Sequence, residues 1–128
     1  MDFLSSNSFL MLEKSMGFLW TKQAALTDNV TNAETPNYKK KVVTFEESLT
    51  ARLKAAATSV QPKKNVRTVL DTTKFAVEEQ LDSTRMDENG VNTTEEMVEA
   101  VRNAYQLRYV YGAISHDLSM LRTAIRGQ

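Results

Sequence analysis

Residues 29–40 read NVTNAETPNYKK, and they fall where a long amphipathic helix has to stop. Pro36 keeps the residue before it out of the helical region, so the helix ends near Ala33 or Glu34. Asn29 and Asn32 stand three apart and share one face. Both lie in the last turns, where backbone carbonyls lack partners within the helix. Their amide NH2 groups can donate to those carbonyls or to a packed neighbour helix, and Tyr38 can fold back against the helix end. A generic proline stop accounts for Pro36 but not for the asparagine pair. The string therefore reads as a built turn.

Upstream of the turn, Phe9, Leu12, Met16, Leu19, Gln23, Leu26, Val30 and Ala33 follow alternating steps of three and four. That spacing is a seam along one side of a helix, with one polar interruption at Gln23. A helix over 9–34, with Ser8 or Asn7 as its N-cap, would be about 39 Å long. Residues 1–8 are expected to be flexible. The C-terminal third carries a second seam: Met97, Val101, Ala104, Leu107, Tyr111, Ile114, Leu118, Leu121 and Ile125. One pair of consecutive three-residue steps interrupts it and should disturb regular packing locally. Thr93 and Glu96 fit a capping box, and Gly127 suits a left-handed C-terminal position, giving a helix over 93–126.

Residues 35–92 differ in character. Thr44 with Glu47 offers another capping box, and Leu49, Leu53 and Ala56 form a modest stripe, so a short helix is expected over 45–57. Residues 58–90 hold a proline, many charges and weak alternation at 66–70 and 75–77. They read as loop, short extended pieces or disorder that orders on assembly, with a turn at Asn89-Gly90. The expected fold class is all-α: two long terminal helices paired as an antiparallel coiled coil, a short helix and an irregular middle, in one domain. A three-helix bundle using the 45–57 helix is the compact rival. A two-helix pair covers only one stripe of each helix. Phe18, Trp20, Tyr105, Tyr109 and Val110 then stand off the seam as candidate subunit contacts, and the core is finished by copies of the chain or by partners.

Composition narrows the function classes. Lys+Arg and Asp+Glu are both 16 in 128 residues, so no basic field exists for nucleic acid. Lys39-Lys40-Lys41 and Lys63-Lys64 read as solvated loop charge. Cysteine is absent and histidine occurs once, so a zinc site would have to lean on carboxylates. No cofactor is expected. Ser115, His116 and Asp117 are adjacent on a helix, where neighbours point about 100° apart, so they cannot converge as a triad. The four glycines form no phosphate-binding pattern. The N-terminus lacks a basic region followed by an apolar run, so no Sec signal is read there. No run of about 18 apolar residues is available to span a bilayer.

The turn also carries a resemblance. LTDNVTNAETPNYK, residues 26–39, resembles the N-terminal motif of the bacterial flagellar rod, hook and related axial proteins, whose usual form is N-I-A-N-x-x-T-P-G-Y. Asn29, Asn32, Thr35, Pro36 and Tyr38 match, while Val30, Thr31 and Asn37 depart from the usual Ile, Ala and Gly. Asparagine tolerates a positive φ better than most residues. The ending NAYQLRYVYGAISHDLSMLRTAIRG, residues 103–127, is similar to that of a proximal-rod member, as is the MDENGVNTTEEM approach, with Glu88 inserted. Residues 58–84 carry no match.

The resemblance implies a structural subunit of the proximal rod, the drive shaft between the motor ring and the hook, stacking helically through its terminal helices. It further implies export through the flagellar type III apparatus. The implied partners are other rod proteins, the rod-base adaptor, the motor (MS) ring and copies of itself. A small helical type III secretion chaperone or adaptor, or the sibling proximal-rod protein, is the competing reading.

Overall fold

The computed structural model describes residues 6–44, 46–79 and 91–127, with the side chains of 46–50 left aside. Residues 1–5 of the N-terminal stretch, the Thr44–Glu47 box, Leu49 and the Asn89-Gly90 turn thus lie outside the described residues. The elements run α1 (Asn7–Thr31), β1 (Lys41–Thr44), α2 (Glu46–Ala57), α3 (Pro62–Thr72), β2 (Ala76–Glu79) and α4 (Thr93–Arg126).

The fold is mostly helical, but it is not all-α. β1 and β2 pair antiparallel, with Lys41 opposite Glu79, Val42 opposite Glu78, Val43 opposite Val77 and Thr44 opposite Ala76. Lys41 and Glu79 put opposite charges across the ribbon. The middle segment therefore contains a helix where irregular chain is expected, while β2 overlaps the short extended piece expected at 75–77. Two features explain α3. Pro62 sits in its first turn, where a missing N–H costs nothing, and Val66, Val69 and Leu70 fall at i, i+3 and i+4 on one face. Leu70 is only 2% exposed. A weak stripe became a helix because α1 supplies the apolar surface it packs on, which no local reading contains.

The core lies along the first two-thirds of α1. Phe18, Leu19, Leu70 and Val110 are buried together, with Leu10, Met16, Val66, Phe75, Leu107 and Ile114 among the side chains packed around them. Phe18 and Phe75 meet edge to face at 6.3 Å between ring centroids, a favoured aromatic geometry. α1 thus sits between α4 on one side and α3 on the other. α2 contributes Leu53 and leans on α3, where Arg52 donates to the Thr72 hydroxyl at 2.9 Å. The compact rival used the wrong third helix: α3, not α2, holds Leu70 in the cluster with Phe18 and Leu19.

Contacts between the terminal helices step down α1 as they step up α4. Asn29 meets Glu96, Gln23 and Leu19 meet Asn103, and Phe18 and Leu19 cluster with Leu107, Val110 and Ile114. On α1 every residue of the expected stripe is sheltered: Leu19 and Leu26 are buried, and Leu12, Met16 and Val30 are half-buried. On α4 the expected stripe needs correction. Met97, Val101, Tyr111, Leu118 and Ile125 are exposed. The sheltered row is Glu96, Ala100, Asn103, Leu107, Val110, Ile114, Asp117 and Leu121.

Its steps alternate four and three without interruption, and the disturbed step disappears. Hydrophobicity alone misplaced the row because three of its members are polar. Leu107, Ile114 and Leu121 belong to both rows and keep their place. Helix ends differ in detail. Ser6, not Ser8 or Asn7, caps α1, accepting from the Phe9 N–H at 3.2 Å. Asn92 begins α4 with no side-chain cap bond, so the Thr93–Glu96 box does not form. Gly127 ends α4 at φ 71° as expected. Among the described residues no helix is long and apolar enough to cross a membrane.

Urea unfolding should separate the two rows. Val110→Ala, in the sheltered row of α4, is expected to cost about 2 kcal/mol, whereas Val101→Ala, in the exposed row, should stay within about 0.5 kcal/mol. Equal effects would contradict the assignment of faces.

Candidate functional site

The turn after α1 closes around one side chain. Asn29 is 0% exposed, and its carboxamide makes four contacts. Nδ2 donates to the Lys41 carbonyl and to Glu96 Oε2, each at 2.8 Å. Oδ1 accepts from the Lys41 N–H at 2.9 Å and from the Tyr38 hydroxyl at 3.2 Å. Bonding both the N–H and the C=O of one strand residue, the carboxamide stands in for a neighbouring strand at the outer edge of β1. No carboxylate or hydroxyl residue supplies that donor–acceptor pair in one plane.

The rest of the motif shapes the chain so that Lys41 arrives there. Asn32 Nδ2 donates back to the Asp28 carbonyl at 2.9 Å, and the Asn32 N–H donates to the same carbonyl at 3.0 Å, so one residue closes the last turn twice. The Thr35 N–H donates to the Asn32 carbonyl at 2.9 Å and its hydroxyl to Asn32 Oδ1 at 3.3 Å. Pro36 is exposed and acts through its backbone restriction. Asn37 takes φ 58°, the left-handed conformation for which its side chain is suited. Tyr38 then points back at Asn29.

Glu96 completes the site from the other end of the chain. It is 1% exposed, and Lys40 Nζ lies 2.6 Å from its Oε1. A buried carboxylate is costly unless it is paired and hydrogen-bonded; Lys40 and Asn29 together meet that demand. Lys41 Nζ pairs with Asp28 at 2.8 Å, and Lys22 with Glu99 at 3.4 Å. Lys40 and Lys41 are therefore structural partners, not solvated loop charge. Glu96 was assigned to a capping box, and a seven-residue step from Asn103 was the signal that could have placed it on the buried face. Nearly two turns back along α1, Asn103 Nδ2 donates to Gln23 Oε1 at 2.8 Å and to the Leu19 carbonyl at 2.9 Å. The polar interruption of the first seam thus meets a polar residue of α4.

Burial raises the Tyr38 pKa; nearby Lys41 opposes this, and Asp28, Glu79 and Glu96 add to it. The bond to Asp28 raises the Lys41 pKa. A cleft of about 200 Å³ lies beside the site, lined by residues including Ala25, Leu26, Val42 and Val43, with Lys22, Lys40, Lys41, Glu96 and Glu99 at its charged margin. Each of those five charges is already engaged in an ion pair. Among the described residues no group of three or more His, Cys, Asp or Glu could hold a metal ion, and His116 is exposed on α4. The arrangement can fix one backbone geometry; it presents no nucleophile–base pair.

Of the candidate contact residues, Trp20, Tyr105 and Tyr109 are exposed. Phe18 and Val110 are buried inside the chain, because the true face of α4 includes Val110 and because Phe75 covers Phe18.

No family model matches the chain. Over 127 residues it is 28% identical to the flagellar basal body rod protein FlgB of Bacillus subtilis (strain 168), an alignment that covers 97% of this chain and 97% of that protein.

Asn29→Ala is expected to cost about 3 kcal/mol in urea unfolding, since Glu96 loses a partner and both Lys41 backbone groups lose theirs. A second expectation concerns alkali. The folded Tyr38 pKa lies above the unfolded value of about 10, so the folded state binds more protons there and stability falls as pH rises through that range. Tyr38→Phe should remove that component of the alkaline slope in a pH series of unfolding curves.

Proposed function

We propose that this chain is a structural subunit of the bacterial flagellar basal-body rod, in its proximal part. The observation that carries the reading is the end-to-end similarity to a rod protein, spanning 97% of both chains. The turn supports it: the five residues shared with the axial-protein motif are the ones that bring Lys41 and Tyr38 onto Asn29.

The physical case concerns surface. α4 carries exposed Tyr105, Tyr109 and Tyr111, and α1 carries exposed Trp20. Large apolar side chains on several sides of a long helix suit a subunit surrounded by others. On this reading α1 and α4 pair as an antiparallel coiled coil, and head-to-tail contacts that do not close build a filament. Trp20, Tyr105 and Tyr109 touch neighbouring subunits. The partners are copies of the chain, other rod proteins, the rod-base adaptor and the motor (MS) ring. The chain reaches them through the flagellar type III export apparatus and acts within the cell envelope as part of the torque-transmitting shaft. It catalyses nothing.

The reading is tested in cells whose chromosomal copy is replaced by variants. Loss of the gene should abolish swimming and leave basal bodies without a complete rod. Leu121→Asp, a charge in the sheltered row, should also abolish swimming. Trp20→Ala and Tyr109→Ala should reduce it while the purified variants keep wild-type helicity by circular dichroism. Normal motility without the gene, or a stable one-to-one complex with an export substrate in place of rod association, would overturn it.

A further inference from the structure

We propose that Asp117 is a register stop: it bars α4 from a second seating on α1, one heptad away, that the rest of the sheltered row would accept. The inference rests on the helix pair alone and is independent of the flagellar reading.

The sheltered row of α4 is two interleaved series, each repeating every seven residues. Ala100, Leu107, Ile114 and Leu121 form one, and Glu96, Asn103, Val110 and Asp117 the other. A slide of seven residues moves α4 about 10 Å along α1 and turns it by only about 20°. When the slide carries Asn103 to Asn29, each member takes the place of the one seven residues before it. The first series then sets apolar on apolar: Leu107 replaces Ala100, Ile114 replaces Leu107 and Leu121 replaces Ile114. In the second, Glu96 passes beyond the end of α1 into water, so its departure strands no buried charge. Residues 80–92 join β2 to α4 and can span about 40 Å, well beyond the movement needed.

Two features of the present seating favour the slide. The first is that α4 outruns α1. Asn29 meets Glu96, so Asn7 is level with residue 118 and the last turns of α4 pass the start of α1. Ile125, one turn beyond Leu121 on the same side, is 76% exposed there. The slide sets Leu121 level with Met11 and Ile125 level with Asn7. The second is Asn103. Its Nδ2 donates to the Leu19 carbonyl and to Gln23 Oε1, but its buried Oδ1 has no partner among the described residues, a costly state for an acceptor. After the slide Asn29 Nδ2 and Lys40 Nζ, which now serve Glu96, stand beside it.

Three things oppose the slide: the bonds of Asn29 and Lys40 to Glu96, the burial of Val91, and Asp117. Asn103 partly replaces the first, and Val91 is one side chain. Asp117 is different in kind. It is half-buried beside the start of α1, and the slide carries it into the place of Val110, among Phe18, Leu19 and Leu70. An ionised carboxylate among apolar side chains is the costliest of the three. The opposite slide is barred in the same way, since it drives Glu96 into the place of Asn103. One carboxylate thus guards each direction.

The natural chain has no cysteine, so spin labels at Ala24→Cys and Thr123→Cys, both exposed, report the seating in the full chain. Their separation along the helix axes is about 33 Å in the present register and about 23 Å after the slide. Double electron–electron resonance should give only the longer distance for the labelled chain with Asp117 and for its Asp117→Glu variant. Asp117→Leu should add a second distance about 10 Å shorter, in on the order of a tenth of the chains or more, and Asp117→Asn a smaller share of the same. The longer distance alone in Asp117→Leu would overturn the proposal. So would the shorter distance in either chain that keeps a carboxylate at this position. Should Asp117→Leu fail to fold, Asp117→Asn decides by the same criterion.

Discussion

The fold depends on two polar layers buried between its terminal helices. Asn29 with Glu96 forms one, and Gln23 with Asn103 the other. Apolar rows tolerate sliding, because one leucine packs against another at several registers. A buried carboxylate does not, since moving Glu96 by one turn would strip it of both Asn29 and Lys40. The two layers also lie in order: Asn29 to Gln23 descends α1 while Glu96 to Asn103 ascends α4. Each layer alone would set a position; together they set direction and register, the role best attested for polar residues within apolar seams.

The same constraint explains what could and could not be read from the sequence. α1, expected over 9–34 and found at Asn7–Thr31, α4, expected and found over 93–126, and the short helix, expected over 45–57 and found at Glu46–Ala57, are legible, because propensity, proline and spacing all point one way. The α4 face was not. Glu96 and Asn103 rank as surface residues on any hydrophobicity scale, so the search for an apolar row passed over them and took up Val101 and Tyr111 instead. The error left a trace in the irregular step at Ala104. Asn29 was recognised as structural, yet its partners were hidden: Lys40 and Lys41 looked like loop charge, and Glu96 like a cap. Sequence separation of 67 residues between Asn29 and Glu96 is beyond any local signal. α3 and the pairing of β1 with β2 are not legible for a related reason, since each exists only against surface supplied by another element.

The asparagine at position 29 links these parts mechanically. Its carboxamide holds the edge of β1 by both backbone groups of Lys41 and at the same time holds α4 through Glu96. The ribbon and the helix pair therefore share one side chain. β1 cannot take its place at the helix end until the turn has formed, and the buried carboxylate of α4 is not fully satisfied until Asn29 and Lys40 are both in position. Elements that share a buried polar group form cooperatively, because a half-satisfied network is worse than none. A chain of this size with so much apolar surface left outside has few other sources of cooperativity. On that argument the turn does more than end a helix. Through one side chain it ties the place of β1 to the meeting of α1 and α4.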